Sequence, residues 1–243
     1  MRALVTRPLV DAWPLAEALS ARGFAVWIEP MLEIESVRDP RLSFEEVQGV
    51  LVTSLNGVRA LAINTDRRDL PVWAVGEVTA NEALRSGFRW VDAAEGNVET
   101  LAARVTAHAD PGKGPLLHVT GSHVAGDLAR WLHIKGFEVR RAVLYEARTP
   151  RSLSPDLRDL LAARRIDVAF FFSPRTAKTF VTLVQAARLD EGCAATTAFA
   201  LSTAVAAALG PLAWREVRVA VHRSQKSLLA ALDADRAASP AKE

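Results

Sequence analysis

The chain has 243 residues, 50% of them apolar and 24% charged, which suits one large or two small folded domains and excludes a disordered or collagen-like polymer. Thirty Lys and Arg against twenty-eight Asp and Glu leave a net charge of +2, too small a surplus to argue for a nucleic-acid partner. A single cysteine, Cys193, excludes an intramolecular disulfide framework and any zinc site built from several thiolates, and a reducing cytoplasm is the expected compartment.

Short apolar runs alternate with segments of helical period, the pattern of an α/β protein. The first strand is expected at Ala3 to Val5, before a helix around Trp13, Leu15, Ala16 and Leu19. Further strands are expected at Phe24 to Ile28, Gly49 to Val52, Val72 to Val75, Leu116 to Val119, Val139 to Val143, Val168 to Phe172, Ala198 to Leu201 and Val217 to Val221. Residues that start helices follow most of them: Thr6 and Pro8, Ser54, Gly76, Gly121 and Ser122, Ser173 and Pro174, and Ser202. The MRALVTRP start has too short an apolar stretch for a signal-peptide core. The uncharged run from Gly192 to Trp214 is long enough to span a bilayer, but its Ala, Thr and Ser content, with Gly210 and Pro211, reads as soluble helix and strand, so no membrane partner is expected. Trp13 and Trp131 are expected in the core, and the tail from Asp235 to Glu243 is expected to fray.

Pieces of the first half recur in the second. LVTRPLVDAWPLAEALSARGFAVWIEP resembles LHVTGSHVAGDLARWLHIKGFEVRRAV, and GVLVTSLNGVRAL resembles VAFFFSPRTAKTF, with Ser54 matching Ser173. AVGEVTANEAL resembles FALSTAVAAAL more faintly, with Ser202 in place of Gly76 and Val205 in place of Thr79. Two copies of a doubly wound unit are expected to turn their strand ends toward a shared cleft. Leu32 to Arg38 and Val143 to Pro150 alternate apolar with polar residues and read as linker strands.

No GxGxxG follows a strand and no GxxxxGK[ST] loop is present, and none of His108, His118, His123, His133 and His222 pairs at the spacing of a helical zinc site. No metal or nucleotide cofactor is therefore expected. What remains is hydroxyls and backbone amides at helix starts, a chemistry that suits a ligand rich in carboxylates or phosphates and equally suits plain capping. Tyr145, the only tyrosine, stands in VLYEA at the expected crossover, where a phenol can act as hydrogen-bond donor or general acid, or simply pack. Arg7 and Arg175 each fit a carboxylate fork or a structural ion pair. Cys193 has no basic neighbour and reads as an inert thiol.

The ordered set VTRP, RGF before WIEP, LVTSLNGV, AVGEVTA, GSHVAGDLARWL, KGFEVRRAVLYEA and FFFSPRTAKTF resembles the uroporphyrinogen-III synthase family over nearly the whole chain. The resemblance implies two doubly wound, parallel-sheet α/β lobes joined by a two-stranded connector. The first lobe would take residues 1–31 and 151–243, the second 39–142, with 32–38 and 143–150 as connector. It implies a cytoplasmic, monomeric, cofactor-free lyase acting on a small molecule, hydroxymethylbilane. That linear tetrapyrrole bears eight carboxylates and closes with inversion of its last ring through a spiro intermediate. Tyr145 matches the family's cleft tyrosine, proposed as proton donor to the leaving hydroxyl. Ser54, Asn56, Thr79, Gly121, Ser122 and Ser173 match loops that would hold carboxylates, with Arg7 as a further binding residue. Ser202 and Val205 depart from the family's GxxTA motif, and Thr120 stands where the family often has a basic residue. These departures leave a non-catalytic two-lobed binding protein for an anionic ligand as the alternative.

Overall fold

The computed structural model describes residues 1–38, 40–122 and 126–238. In chain order its elements are β1 (Arg2–Val5), α1 (Leu9–Ser20), β2 (Ala25–Ile28), β3 (Glu33–Ser36), β4 (Gly49–Val52), α2 (Leu55–Asn64), β5 (Val72–Ala74), α3 (Glu77–Arg85), β6 (Val91–Ala93), α4 (Val98–His108), β7 (Leu116–Gly121) and α5 (Leu128–Ile134). There follow β8 (Val139–Arg148), α6 (Pro155–Ala162), β9 (Val168–Phe171), α7 (Pro174–Ala186), β10 (Thr197–Ala200), α8 (Thr203–Leu209), β11 (Glu216–Val219) and α9 (Gln225–Ala238). The chain divides into two compact units, one of residues 1–33 with 148–243 and one of residues 34–147.

In the first unit the strands run in the order β11-β10-β9-β1-β2, all neighbouring pairs parallel. Helices α1 and α9 cover one face around Val5, Leu15, Phe170 and Leu228, while α6, α7 and α8 cover the other around Leu4, Phe171, Phe180 and Leu209. Strand β9 explains why its sequence is an unbroken VAFF: Val168 and Phe170 enter one core and Ala169 and Phe171 the other.

In the second unit the order is β3-β8-β7-β4-β5-β6. Helices α2 and α3 pack with Val50, Val52, Leu117 and Val119 on one face, and α4 and α5 pack with Leu51, Trp73 and Leu116 on the other. The duplication is visible in the sheets, since β6-β5-β4-β7-β8 repeats β11-β10-β9-β1-β2 position for position. The two copies are circularly permuted: β7-α5-β8 comes last in the second unit, whereas its counterpart β1-α1-β2 opens the chain. That permutation is why the first unit uses both chain ends. Counting β1 or β7 as the first strand, each sheet has the doubly wound order 2-1-3-4-5, whose ligand crevice forms at the carboxyl ends where the order reverses. These switch points fall between β1 and β9 in one unit and between β7 and β4 in the other.

Several expectations are corrected. Trp13 and Trp131 are 56% and 47% exposed, because Ala12, Leu15, Ala16 and Leu19 define the inward stripe of α1 and Leu128 and Leu132 that of α5; Trp73, on a doubly covered strand, is the buried tryptophan. Thr6 caps no helix and is buried, donating its hydroxyl to the Phe170 carbonyl. Gly121 and Ser122 do not start α5: β7 runs on through Gly121, and Asp127 caps the helix by accepting from the Arg130 N–H. His123 lies outside the described residues. The strand Val139 to Val143 and the linker after it are one continuous strand to Arg148. A short edge strand at Val91–Ala93 was not foreseen; residues 235–238 of the tail belong to α9, where Asp235 accepts from Arg218, and residues 239–243 lie outside the described residues. The Gly192–Trp214 run contributes β10 and the seven-residue α8, and among the described residues no helix is long and apolar enough to cross a membrane.

Candidate active site

Ser54, Ser173 and Ser202 behave as their sequence contexts predict. Each sits in extended backbone at a strand's end and caps the next helix, accepting from the N–H of Gly57, Thr176 and Val205 respectively. Gly76 occupies the same place before α3 but has no side chain to offer, so the first amides of α3, next to buried Thr79, keep no side-chain cap. Asn56 is half-buried in the first turn of α2 and makes no side-chain hydrogen bond among the described residues.

At the β7/β4 switch point the Tyr145 hydroxyl lies 2.9 Å from the Ser54 Oγ. A register slip between β7 and β8 brings this about. Thr120 stands opposite Val143, but Gly121 stands opposite Tyr145, so Leu144 is skipped. Regular alternation would send Ala142 and Leu144 to the α2/α3 core and Tyr145 to the other face. The extra residue re-aims the phenol, and Tyr145 packs against the same core as Ala142 and Leu144. The slip is held by the Val37 N–H on the Leu144 carbonyl and the Ser122 N–H on the Tyr145 carbonyl, both 3.0 Å. Gly121 leaves room for the ring: a Cβ there would fall 2.7 Å from Tyr145 Cε2 and 2.8 Å from Cζ.

The Ser54 Oγ accepts from the Gly57 N–H at 3.0 Å, which uses one of its two lone pairs. Either hydroxyl of the Ser54–Tyr145 contact can be the donor. When Ser54 donates, the phenol proton is turned outward to an acceptor, and the phenolate left by its transfer keeps the Ser54 O–H as donor. The contact thus leaves the phenol proton available to an outside acceptor in one of its two donor arrangements.

The first unit places Arg7 and Ser173 at the ends of adjacent strands β1 and β9, its own switch point. The Arg7 guanidinium stacks over the Phe172 ring at 4.2 Å and donates to the Gln225 Oε1 at 3.1 Å. The geometry gives Arg7 an orienting stack and an amide partner. The sequence reading missed Gln225 and Phe172 as its supports, and it missed Arg141 beside Thr120; a charged residue in an exposed strand position carried no signal that could have found the last. Among the described residues no cluster of His, Cys, Asp or Glu is arranged for a metal. Cys193 is buried, and burial first, then Asp190, pushes its thiol up to about 12.

A family model described as uroporphyrinogen-III synthase HemD matches residues 14–230. The chain is 28% identical over 208 residues to a uroporphyrinogen-III synthase of Chlorobaculum parvum, covering 77% of this chain and 81% of that protein. Its fold is similar to a crystal structure of uroporphyrinogen-III synthetase from Helicobacter pylori, with TM-score 0.66 and 16% identity over 97% of this chain and 100% of the other. It is also similar to a mutant uroporphyrinogen III synthase from Thermus thermophilus, with TM-score 0.57 and 16% identity over 98% and 100%. The structural likeness speaks for the α/β fold with two parallel sheets, and the family match runs across both units: the chain belongs to the uroporphyrinogen-III synthase family.

Proposed function

We propose that the chain cyclises hydroxymethylbilane to uroporphyrinogen III with inversion of the terminal ring and loss of water, working as a monomer in the cytoplasm. The observation that carries this reading is the lone phenol of Tyr145, turned by a register slip onto Ser54 at a switch point. Tyr145 gives its proton to the leaving hydroxyl, water departs, and the resulting azafulvene is attacked by the substituted carbon of ring D. The spiro intermediate fragments and recloses, and the proton lost on closure returns to the Tyr145 phenolate, so the net change is the loss of one water. None of these steps calls on a cofactor.

Left alone, the activated bilane closes directly to the uninverted isomer, so the protein's remaining work is positioning. We assign carboxylates of the substrate to the α2 and α3 starts around Asn56 and Thr79, to the Gly121–Ser122 segment, and in the first unit to Arg7 and Ser173. Residues 1–31 with 151–243 and residues 39–142 are proposed as the two functional lobes, with 32–38 and 143–150 as connector. The purified chain, given enzymatically generated hydroxymethylbilane, is expected to yield mainly the type III isomer on separation of the oxidised products. Only type I would overturn the reading in favour of a non-catalytic binding protein.

Ser54→Ala removes both the α2 cap and the partner of the phenol. Loss of the cap costs about 1 kcal/mol, lowering the melting temperature by roughly 2–4 °C for a chain of this size. Turnover is expected to fall about tenfold, less than on loss of the phenol itself, because water can take the place of the Ser54 hydroxyl. Calorimetry and steady-state kinetics check the two effects separately.

A further inference from the structure

We propose that Arg141 is a positioning residue for the reaction, its guanidinium clamping the register slip that aims Tyr145 at Ser54. The inference rests on the assignment of Tyr145 as proton donor. Arg141 sits on β8 opposite His118, in the regular stretch of the ladder just before the slip. Its Nε donates to the Thr120 Oγ1 at 3.0 Å, and its Nη2 donates to the carbonyl oxygens of Gly121 at 3.0 Å and Ser122 at 3.1 Å. Thr120 and Gly121 are the residues between which the register shifts, so one planar group spans the slip and the first residue beyond the strand.

The consequence for the phenol is transmitted by the backbone. Ser122, whose carbonyl accepts from Arg141, donates its N–H to the carbonyl of Tyr145 itself, and Gly121 forms the floor under the Tyr145 ring. Arg141 touches neither the ring nor its hydroxyl; it lies with Thr120 on the α4/α5 side of the sheet, while the ring lies on the α2/α3 side. A slipped ladder competes with the regular one, which would carry Tyr145 back to the wrong face. Three donors fixed in a fork across the slip favour the arrangement in which the phenol meets Ser54. Lysine, a point charge on a flexible stem, can reach one of these acceptors but not hold all three in a plane.

The test compares Arg141→Met, Arg141→Lys, Thr120→Val and Tyr145→Phe in the full chain by steady-state kinetics on hydroxymethylbilane, with the type III to type I ratio and the melting temperature recorded for each. Because Tyr145 is the only tyrosine, ring-labelled tyrosine gives a single ring spin system by NMR that reports its position directly. For Arg141→Met we expect kcat to fall roughly ten- to a hundredfold with KM within about twofold, the ring resonances displaced and the type I fraction raised. Arg141→Lys recovers part of the loss, and Thr120→Val falls the same way but less. Should Arg141→Met not fold, Thr120→Val and Arg141→Lys decide. Unchanged kcat and ring resonances in the Arg141 variants, alongside a Tyr145→Phe that has lost activity, overturn the clamp alone; so does a loss confined to KM. Full activity in Tyr145→Phe overturns the proton-donor reading, and the clamp's catalytic role with it.

Discussion

Tyr145→Phe is expected to lower kcat by about a hundredfold or more while the protein stays folded and bound to its substrate. The substitution removes one oxygen and leaves the ring, which packs against the α2/α3 core and over Gly121. The stability lost is that of one hydroxyl contact to Ser54 at 2.9 Å, about 1 kcal/mol, because Ser54 keeps its bond from Gly57 and is half-buried within reach of water. The catalytic loss is larger because, among the described residues, the phenol's side-chain partner is only an aliphatic hydroxyl, Ser54, a far weaker acid. Rapid-quench measurement of water loss, with binding of the bilane measured separately, checks the separation of effects. A drop of only a few-fold would mean that positioning supplies nearly all the catalysis and that the phenol acts as a spacer. The isomer ratio is informative as well: slow activation with intact positioning lowers the rate of type III formation without raising the enzyme-bound yield of type I.

Where the residues themselves carried the information, sequence reading went far. The runs GVLV and VAFF announce strands covered on both faces, and Ser54, Ser173 and Ser202 announce helix starts because a serine there can accept from the N–H three residues on. The repeated order of these pieces made the duplication legible. What stayed hidden depends on partners distant in the chain or on backbone atoms, which no residue letter encodes. Trp13 and Trp131 look like core by hydrophobicity, yet their neighbours Leu15 and Leu132 already fill the inward stripe. The aim of Tyr145 follows from skipping Leu144, a break in a period-two pattern that reads as noise in the letters VLYEA. Arg141 binds one hydroxyl and two carbonyls, and only the hydroxyl belongs to a side chain.

The two copies differ at their matching helix starts. At the start of α3 the second unit keeps Gly76, whose missing side chain leaves the helix's first amides without a side-chain cap. The first unit has Ser202 at the matching start of α8, where the hydroxyl accepts from the Val205 N–H and Val205 itself is buried in the core. A carboxylate arriving there would have to displace the cap. The first unit instead keeps a cation at its switch point, Arg7, held by Phe172 and Gln225. On the proposed assignment of Arg7 to a substrate carboxylate, substituting Arg7 should act on affinity rather than on the chemical step.

Acidification from pH 6.5 to 4 is expected to remove about 3 kcal/mol of stability through His118 alone. His118 lies on β7 on the face covered by α4 and α5, 3% exposed, and its Nε2 has no hydrogen-bond partner among the described residues. Burial first, and then the charge of neighbouring Arg141, lower its pKa from 6.5 to about 4. Between those values the unfolded chain binds a proton at this site and the folded chain does not. Stability therefore rises with pH, its contribution complete above about 6.5 and lost as the pH falls toward 4. Carboxylates held down by arginines, such as Asp92 beside Arg104, add their own losses only at lower pH, and weakly because they are near the surface. Urea unfolding of the wild type and of His118→Leu at several pH values isolates the contribution, since the variant has nothing to protonate at this site. The wild type should lose about 3 kcal/mol more than the variant across this window. Parallel curves would mean that burial and Arg141 do not hold His118 neutral in the folded chain. The same protonation would set a second positive charge against the guanidinium that spans the slip, so loss of turnover should accompany loss of stability on the acid side, and His118→Leu should lose less of it.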